Sequence, residues 1–503
     1  MKRIVHISLA VAVLAVIKLL LHLYGGRHYG YFIDELYYLA CARHLDWGYV
    51  DQPPLIALIG RVVMATIGDS LSAIRLLPAL AGTAEVILAG VLAKELGGGK
   101  FAQGLAALCV LVAPGIMALD HFFSMNCFEP LLWMGCAWVV IRLIKTGDAR
   151  LWLWFGVIAG IGLENKHSIL MFGFGLVAGL VLSPQRGVLR SRWLWAGGAI
   201  ALAIFLPNLI WNVQHHFPFL ELQENIRRSG RNVAFTPFSF IGEEMLEMLP
   251  LTAPIWVVGF WELFSTRFRA LGWAALITSG LIIALNPRTY YLYPAFPLLF
   301  AAGCVAWERW LASPRWRLVG IGYAGLMVLG GAVLAPTVVP VLPAETYIRY
   351  AAALHIQQPR IENSQLGPLP QLFADQFGWP ELAETVAGVY NGLPAEVRLK
   401  TAIFGYNYGS AGAIDLFGPK YGLPAAISGH QSYYLWGPRG YTGESMIVIG
   451  GRGPDLERRF TTVQKMAQIY HPYSMPHQHG DVYYCTGLKM PLVELWPQVK
   501  IWQ

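Results

Sequence analysis

Charge is what this sequence has least of. Of its 503 residues only 13% are Asp, Glu, Lys or Arg, whereas 55% are hydrophobic and the mean hydropathy is +0.47. Soluble globular domains carry roughly 25% charged residues, and a lipid-facing surface explains the deficit better than an oversized core. Cysteine is scarce and unpatterned: six residues, at 41, 109, 127, 136, 304 and 485, form no CxxC pair. Neither a zinc site nor a disulfide framework is implied. Cys109, Cys136 and Cys304 fall in apolar runs, as small packing residues do. There is no run of Lys and Arg interleaved with aromatics to suggest nucleic acid, no glycine-rich nucleotide loop, no internal repeat and no low-complexity tract.

What is present is a series of long apolar runs. A membrane-spanning helix needs about 20 mainly apolar residues, fewer inside a bundle. Eleven candidates centre near 7–24, 71–95, 101–118, 127–145, 150–163, 168–183, 193–212, 249–265, 270–286, 291–311 and 316–337. The first resembles a signal peptide but lacks a small-residue cleavage site, and reads as an uncleaved span. Eighteen Trp and 23 Tyr suit two water–lipid interfaces. With a cytoplasmic N-terminus, fifteen Lys and Arg fall in short inside connections, among them Lys2, Arg3, Arg142, Lys145, Arg267 and Arg309. Only eight, including Arg27, Arg43, Arg231 and Arg288, fall in the longer outside segments. The positive-inside rule then sets that orientation, and an odd number of spans places the tail outside the cytoplasm.

The sequence expects two domains. Residues 1–337 form an α-helical polytopic membrane domain, and 338–503 form a small extracytoplasmic α/β domain punctuated by Pro and Gly. In the tail, Leu372–Tyr390 reads as a helix, and Lys400–Tyr406 and Ser445–Gly450 read as short buried strands.

Unusual chemistry gathers in the outer loops. In the first, from about Gly25 to Ser70, helical periodicity over 34–45 and an apolar helix after Pro53-Pro54 predict two interfacial helices. Asp34 and Glu35 are adjacent carboxylates there. Asp34 suits either the N-cap of a helix beginning at Glu35 or a functional group whose cost near lipid must be compensated. In the second loop, Asn126 and Glu129 have capping-box spacing. Asp120 and His121, at the end of the preceding span, have no such local explanation. Lys166 and Arg288 read first as snorkelling cations, the latter in an aromatic belt with Tyr290, Tyr291 and Tyr293. Both are nonetheless expected on the same face as Asp34, where cations could hold an anionic headgroup. His471, His477 and His479 lack recognised metal-ligand spacing and read as a polar loop.

The order of these pieces resembles family-39-type glycosyltransferases, the bacterial relatives of protein O-mannosyltransferases and lipid A aminoarabinose transferases. The matching stretches are IDELYYLACARHLDWGYVDQPPL, GDSLSAIRLLPALAG, FSMNCFEPLLW, GLENKHS and NPRTYYLYPAFPLL, which together thread residues 1–310. The resemblance implies a GT-C fold, a polyprenyl-phosphate-linked sugar donor, no required cofactor and inverting transfer at the extracytoplasmic face of a bacterial inner membrane. It implies Asp34 as catalytic base, Glu35 as a group that helps hold the acceptor, and Arg288 and Lys166 as ligands of the lipid phosphate. Asp120, His121, Asn126 and Glu129 remain further candidates. One departure stands out: aminoarabinose transferases have a lysine immediately before the PPL of the first loop, where this chain has Gln52.

The implied chemistry is coherent. One displacement at the anomeric carbon needs a base for the acceptor's proton and cations for the departing phosphate. A prenyl tail needs a lipid-facing groove. The acceptor (glycan, lipid or protein), the sugar and any need for a divalent metal stay open. So do two other classes: a transporter or lipid flippase, which should place polar groups at mid-membrane depth, and a non-catalytic scaffold.

Overall fold

In lipid every backbone amide and carbonyl must find an internal partner, so apolar runs of this length have to be helical. The computed structural model describes residues 8–359 and 362–503, and within them this expectation holds. Lys2 and Arg3 of the orientation argument, and the beginning of the first span, lie outside the described residues. Five helical stretches are long and apolar enough to cross a membrane: Leu71–Glu95, Met125–Thr146, Arg192–Gln214, Thr289–Trp310 and Pro314–Thr337. Two sharply bent pairs, Ile169–Val181 with Pro184–Arg190 and Pro237–Glu247 with Pro250–Ser265, bring the number to as many as seven. Leu9–Gly25, Lys100–Val112, Leu151–Asn165 and Arg269–Leu285 are apolar but shorter. The expected span over 101–118 is broken between Val112 and Pro114, because proline supplies no amide hydrogen to continue the ladder.

The chain divides into two compact units. Among the described residues, the first comprises 8–28, 72–211 and 234–342, and is a helical bundle. Ala253–Ser265 packs on Phe296–Trp310, Arg269–Leu285 on Ile169–Val181, and Lys100–Val112 on Leu9–Gly25. With no hydrophobic drive between helices in lipid, close approach depends on small residues. A Cβ at Gly156 would collide with the Gly197 carbonyl, and one at Gly303 with the Ile255 carbonyl. Helix ends are tied by charge. Glu308 accepts the Phe101 and Ala102 amides at 3.0 and 3.1 Å, partners that the first turn of Lys100–Val112 lacks internally.

The second unit joins residues 29–71 and 212–233 to 343–503. The sequence drew a single boundary at 337/338. The compact units part at Leu342/Pro343, and residues 29–71 belong to the same unit as the tail. The tail contains a four-stranded sheet in the order β1-β2-β4-β3, from Thr401–Gly405 (β1), Ser445–Ile449 (β2), Phe460–Ile469 (β3) and Gly480–Leu488 (β4). β1 and β2 are parallel and the other pairs antiparallel. The helix read over 372–390 is two, Gln371–Ala374 and Trp379–Asn391, broken where Gly378 takes φ +89°.

Candidate active site

The first-loop helix runs Ile33–Arg43, and its N-cap is Phe32. Asp34 is therefore inside the first turn and is not the cap. Glu35 does the capping work: its Oε2 accepts the Phe32 amide at 2.8 Å, and its side chain is fully buried. Half-buried Asp34 is placed differently. Its Oδ1 accepts a 2.7 Å hydrogen bond from the hydroxyl of Tyr408.

Tyr408 begins the helix Tyr408–Phe417, whose N-cap Asn407 accepts the Ser410 amide at 2.8 Å. The helix lies against Ile33–Arg43. Its small face makes this fit, since side chains at Gly409 or Gly412 would run into Ile33 or Leu36. Around Asp34, the Tyr37 hydroxyl donates to Asp51 Oδ1 at 2.8 Å and lies 2.7 Å from Ser432 Oγ. Arg231 pairs with Glu362 at 2.6 Å and feels the charge of Asp34. Burial pushes the Asp51 carboxyl up to about 7, and Asp34's negative charge adds to the effect. Burial likewise pushes Asp375 up to about 8. Asp34 thus sits among two carboxyls that resist ionisation and one arginine. Gln52 is only 2% exposed and reaches Cys41 Sγ at 3.7 Å, so the position of the family's lysine holds no cation.

In the first unit, four candidates come together. Lys166 is buried, not snorkelling: its Nζ is 2.7 Å from Glu129 Oε2 and 2.9 Å from Asn126 Oδ1. It lies over the rings of Tyr291 and Tyr290, 4.0 and 4.7 Å from their centroids. Ser168 donates to the other Glu129 oxygen. The expected capping box does not form. Ser124 caps the short turn Met125–Cys127, and Glu129 opens the helix Glu129–Thr146 with its carboxylate on Lys166. Arg288 precedes the turn Thr289–Tyr291 and is close enough for its charge to act on Tyr291.

Asp120 and His121 belong to a separate buried group of the same unit. Asp120 Oδ2 is 2.7 Å from Lys18 Nζ, and both side chains are 0% exposed. Glu85 is fully buried beside them and feels both charges. Arg75 approaches His121 Nε2 at 3.4 Å, and the His22 and His121 rings are 6.3 Å apart. In the tail, His479 Nε2 meets Ser474 Oγ and the His471 carbonyl at 3.0 Å each. Among the described residues, no three His, Cys, Asp or Glu side chains are arranged to hold a metal ion.

Sequence reasoning missed Asp51, Asp375, Tyr408 and Glu85 as members of these groups. Asp51 had a signal, since it stands beside Gln52 in the first-loop motif. Tyr408 had none, because it is 374 residues from its partner.

Comparison with known proteins agrees with this architecture. Residues 51–211 match the dolichyl-phosphate-mannose-protein mannosyltransferase family. That stretch includes Gln52, Glu129 and Lys166 but neither Asp34 nor Arg288. The lipid A galacturonosyltransferase RgtD of Rhizobium johnstonii is 27% identical over 186 residues, 37% of this chain and 39% of that protein. The match therefore spans well under half of the relative's length. Crystal structures of ArnT from Cupriavidus metallidurans superpose with TM-scores of 0.62 (bound to undecaprenyl phosphate) and 0.58 (apo). In both, identity is 16%, and coverage is 94% of this chain and 97% of ArnT. Along nearly its whole length the chain thus shares the fold of these crystal structures, and over residues 51–211 its sequence matches the mannosyltransferase family.

Proposed function

We propose that the protein transfers a sugar from a polyprenyl-phosphate-linked donor to an acceptor at the extracytoplasmic face of a bacterial inner membrane, with inversion at the anomeric carbon. The observation that carries this reading is Asp34: a carboxylate at a helix start in the first outer loop, oriented by a tyrosine hydroxyl. Asp34 takes the proton of the acceptor nucleophile as that atom bonds to the anomeric carbon. The bond from that carbon to the phosphate oxygen breaks, and its electron pair leaves with the lipid phosphate. Undecaprenyl phosphate is the lipid bound in one of the ArnT structures, which supports a donor of this chemistry here. Glu35 is committed to its helix and serves the acceptor only by fixing Asp34's turn. The C-terminal domain lies outside the cytoplasm in this reading.

The phosphate's charge falls to Arg288 and Lys166. Lys166 shares its charge with Glu129, and Gln52 contributes none. Arg288→Ala should weaken binding of undecaprenyl phosphate by roughly tenfold or more, the scale of one charge-assisted hydrogen bond. Arg288→Lys should recover part of it, because the bidentate fork is lost. Binding of the lipid to detergent-solubilised protein measures this. Unchanged affinity in the alanine variant removes Arg288 from the phosphate site.

One observation favours a second reading. The Lys18–Asp120–Glu85 group puts charge inside apolar helices, as a transporter does. Lipid-sugar movement across vesicles without consumption of the donor would support that alternative.

A further inference from the structure

We infer that Tyr408, supplied by the C-terminal domain, is the positioning residue of the transfer reaction, holding the Asp34 carboxylate in the orientation from which it accepts a proton. The inference rests on the assignment of Asp34 as base and extends it to a residue outside the first loop.

The geometry is built, not incidental. The Tyr408 hydroxyl donates to Asp34 Oδ1 at 2.7 Å. Its ring packs against two others, Tyr37 at 4.9 Å and His430 at 4.7 Å between centroids, with interplanar angles of 33° and 22°. Its own backbone amide donates to His430 Nδ1 at 3.1 Å, so the imidazole proton is on Nε2, which faces the Gln503 carbonyl at 3.5 Å. Burial lowers the His430 pKa to about 3, so the ring stays neutral and keeps this tautomer at neutral pH. Tyr37 in turn fixes Asp51. A phenol packed against two rings and tethered through its backbone is held where its O–H reaches Asp34. Burial, followed by the charge of Asp34, pushes the phenol's pKa well up, so it remains a donor throughout the working range.

The arrangement has a chemical consequence. A hydrogen bond to a carboxylate favours the charged form and lowers its pKa. Removing the donor should raise the pKa of Asp34 and remove one constraint on its side chain. The other charged and titratable groups facing Asp34 are Asp51, Arg231 with Glu362, and Asp375. All remain in a Tyr408 variant, so a difference from the parent protein isolates the phenol.

The test uses the full-length protein in detergent and needs no substrate for its first measurement. A water-soluble carbodiimide with an amine traps protonated carboxyls, and peptide mass spectrometry follows labelling of Asp34 against pH. Tyr408→Phe keeps the ring stack and should move the labelling midpoint up by about one pH unit or more. Placing 3,5-difluorotyrosine at 408, a more acidic phenol with the same ring, should move it down. In transfer assays with undecaprenyl-phosphate sugars, Tyr408→Phe should lower kcat at least roughly tenfold with binding of undecaprenyl phosphate unchanged. The acid limb of its pH profile should rise with the labelling midpoint. An unmoved midpoint and unchanged kcat in folded Tyr408→Phe overturn the inference. Asp34→Asn, assayed beside it, separates the two claims. If Asp34→Asn is inactive while Tyr408→Phe behaves as wild type, only the role of Tyr408 falls. Wild-type turnover in Asp34→Asn removes the base assignment itself.

Discussion

Asp34→Asn should fold, bind undecaprenyl phosphate as the parent does, and turn over at least about two orders of magnitude more slowly. The asparagine is close in shape, and its side-chain carbonyl still accepts the Tyr408 hydrogen bond. What it loses is the proton-accepting charge. The structural cost is small: a negative charge in the first turn of Ile33–Arg43 contributes only about 0.3–1 kcal/mol through the helix dipole. Asp34→Ala removes the acceptor as well and leaves the Tyr408 hydroxyl without its partner, at roughly 1–3 kcal/mol. The two variants should therefore differ in stability and agree in lost turnover. A purely structural Asp34 gives the opposite pattern, with the asparagine variant as active as wild type. Thermal unfolding and release of undecaprenyl phosphate, measured on the same preparations, distinguish the two.

Lys18→Ala should cost the most stability of any single change considered, roughly 3–5 kcal/mol. Lys18 is buried against Asp120 at 2.7 Å, with Glu85 fully buried beside both. Removing the cation strands two carboxylates with their charge uncompensated in an apolar interior. Removing Asp120 instead is milder, because Glu85 remains as a counter-ion. The order of unfolding temperatures should accordingly be wild type, then Asp120→Ala, then Lys18→Ala. A Lys18→Ala/Asp120→Ala double variant should be less destabilised than the sum of its parts. Thermal unfolding in detergent reads this order. A Lys18→Ala protein as stable as wild type would show that the pair contributes nothing.

The membrane helices were legible because lipid imposes a length and a composition on each run independently of its neighbours. Among the described residues the expected apolar runs are helical, and five to seven of the helices are long and apolar enough to cross a membrane. The tail was legible only where strands are buried on both faces. β1, TAIFG, and β2, SMIVI, are mostly apolar and buried and were read, whereas β3, FTTVQKMAQI, is largely exposed and carries no such run. The candidate site was named from residues that stand in a local motif: Asp34, Glu35, Asn126, Glu129, Lys166 and Arg288. Their roles were not, because roles come from partners distant in sequence. Lys166 looked like an interfacial cation until Glu129, Asn126 and two tyrosines closed around it. Asp34 looked like a cap until the helix was seen to start two residues earlier than predicted. Lys18 and Glu85 were lost inside hydrophobic runs whose average character concealed them.

The central claim is that this chain consumes a polyprenyl-phosphate sugar by a displacement that Asp34 assists. The most direct measurement incubates purified protein with a panel of undecaprenyl-phosphate-linked sugars and a bacterial membrane extract supplying acceptors. Mass spectrometry then follows both the lipid phosphate and the sugar. The predicted result is release of undecaprenyl phosphate matched by sugar on an extract component, with inverted anomeric configuration, in wild type and not in Asp34→Asn. Equal release by the two proteins, or donor left intact by wild type across the panel, would contradict it.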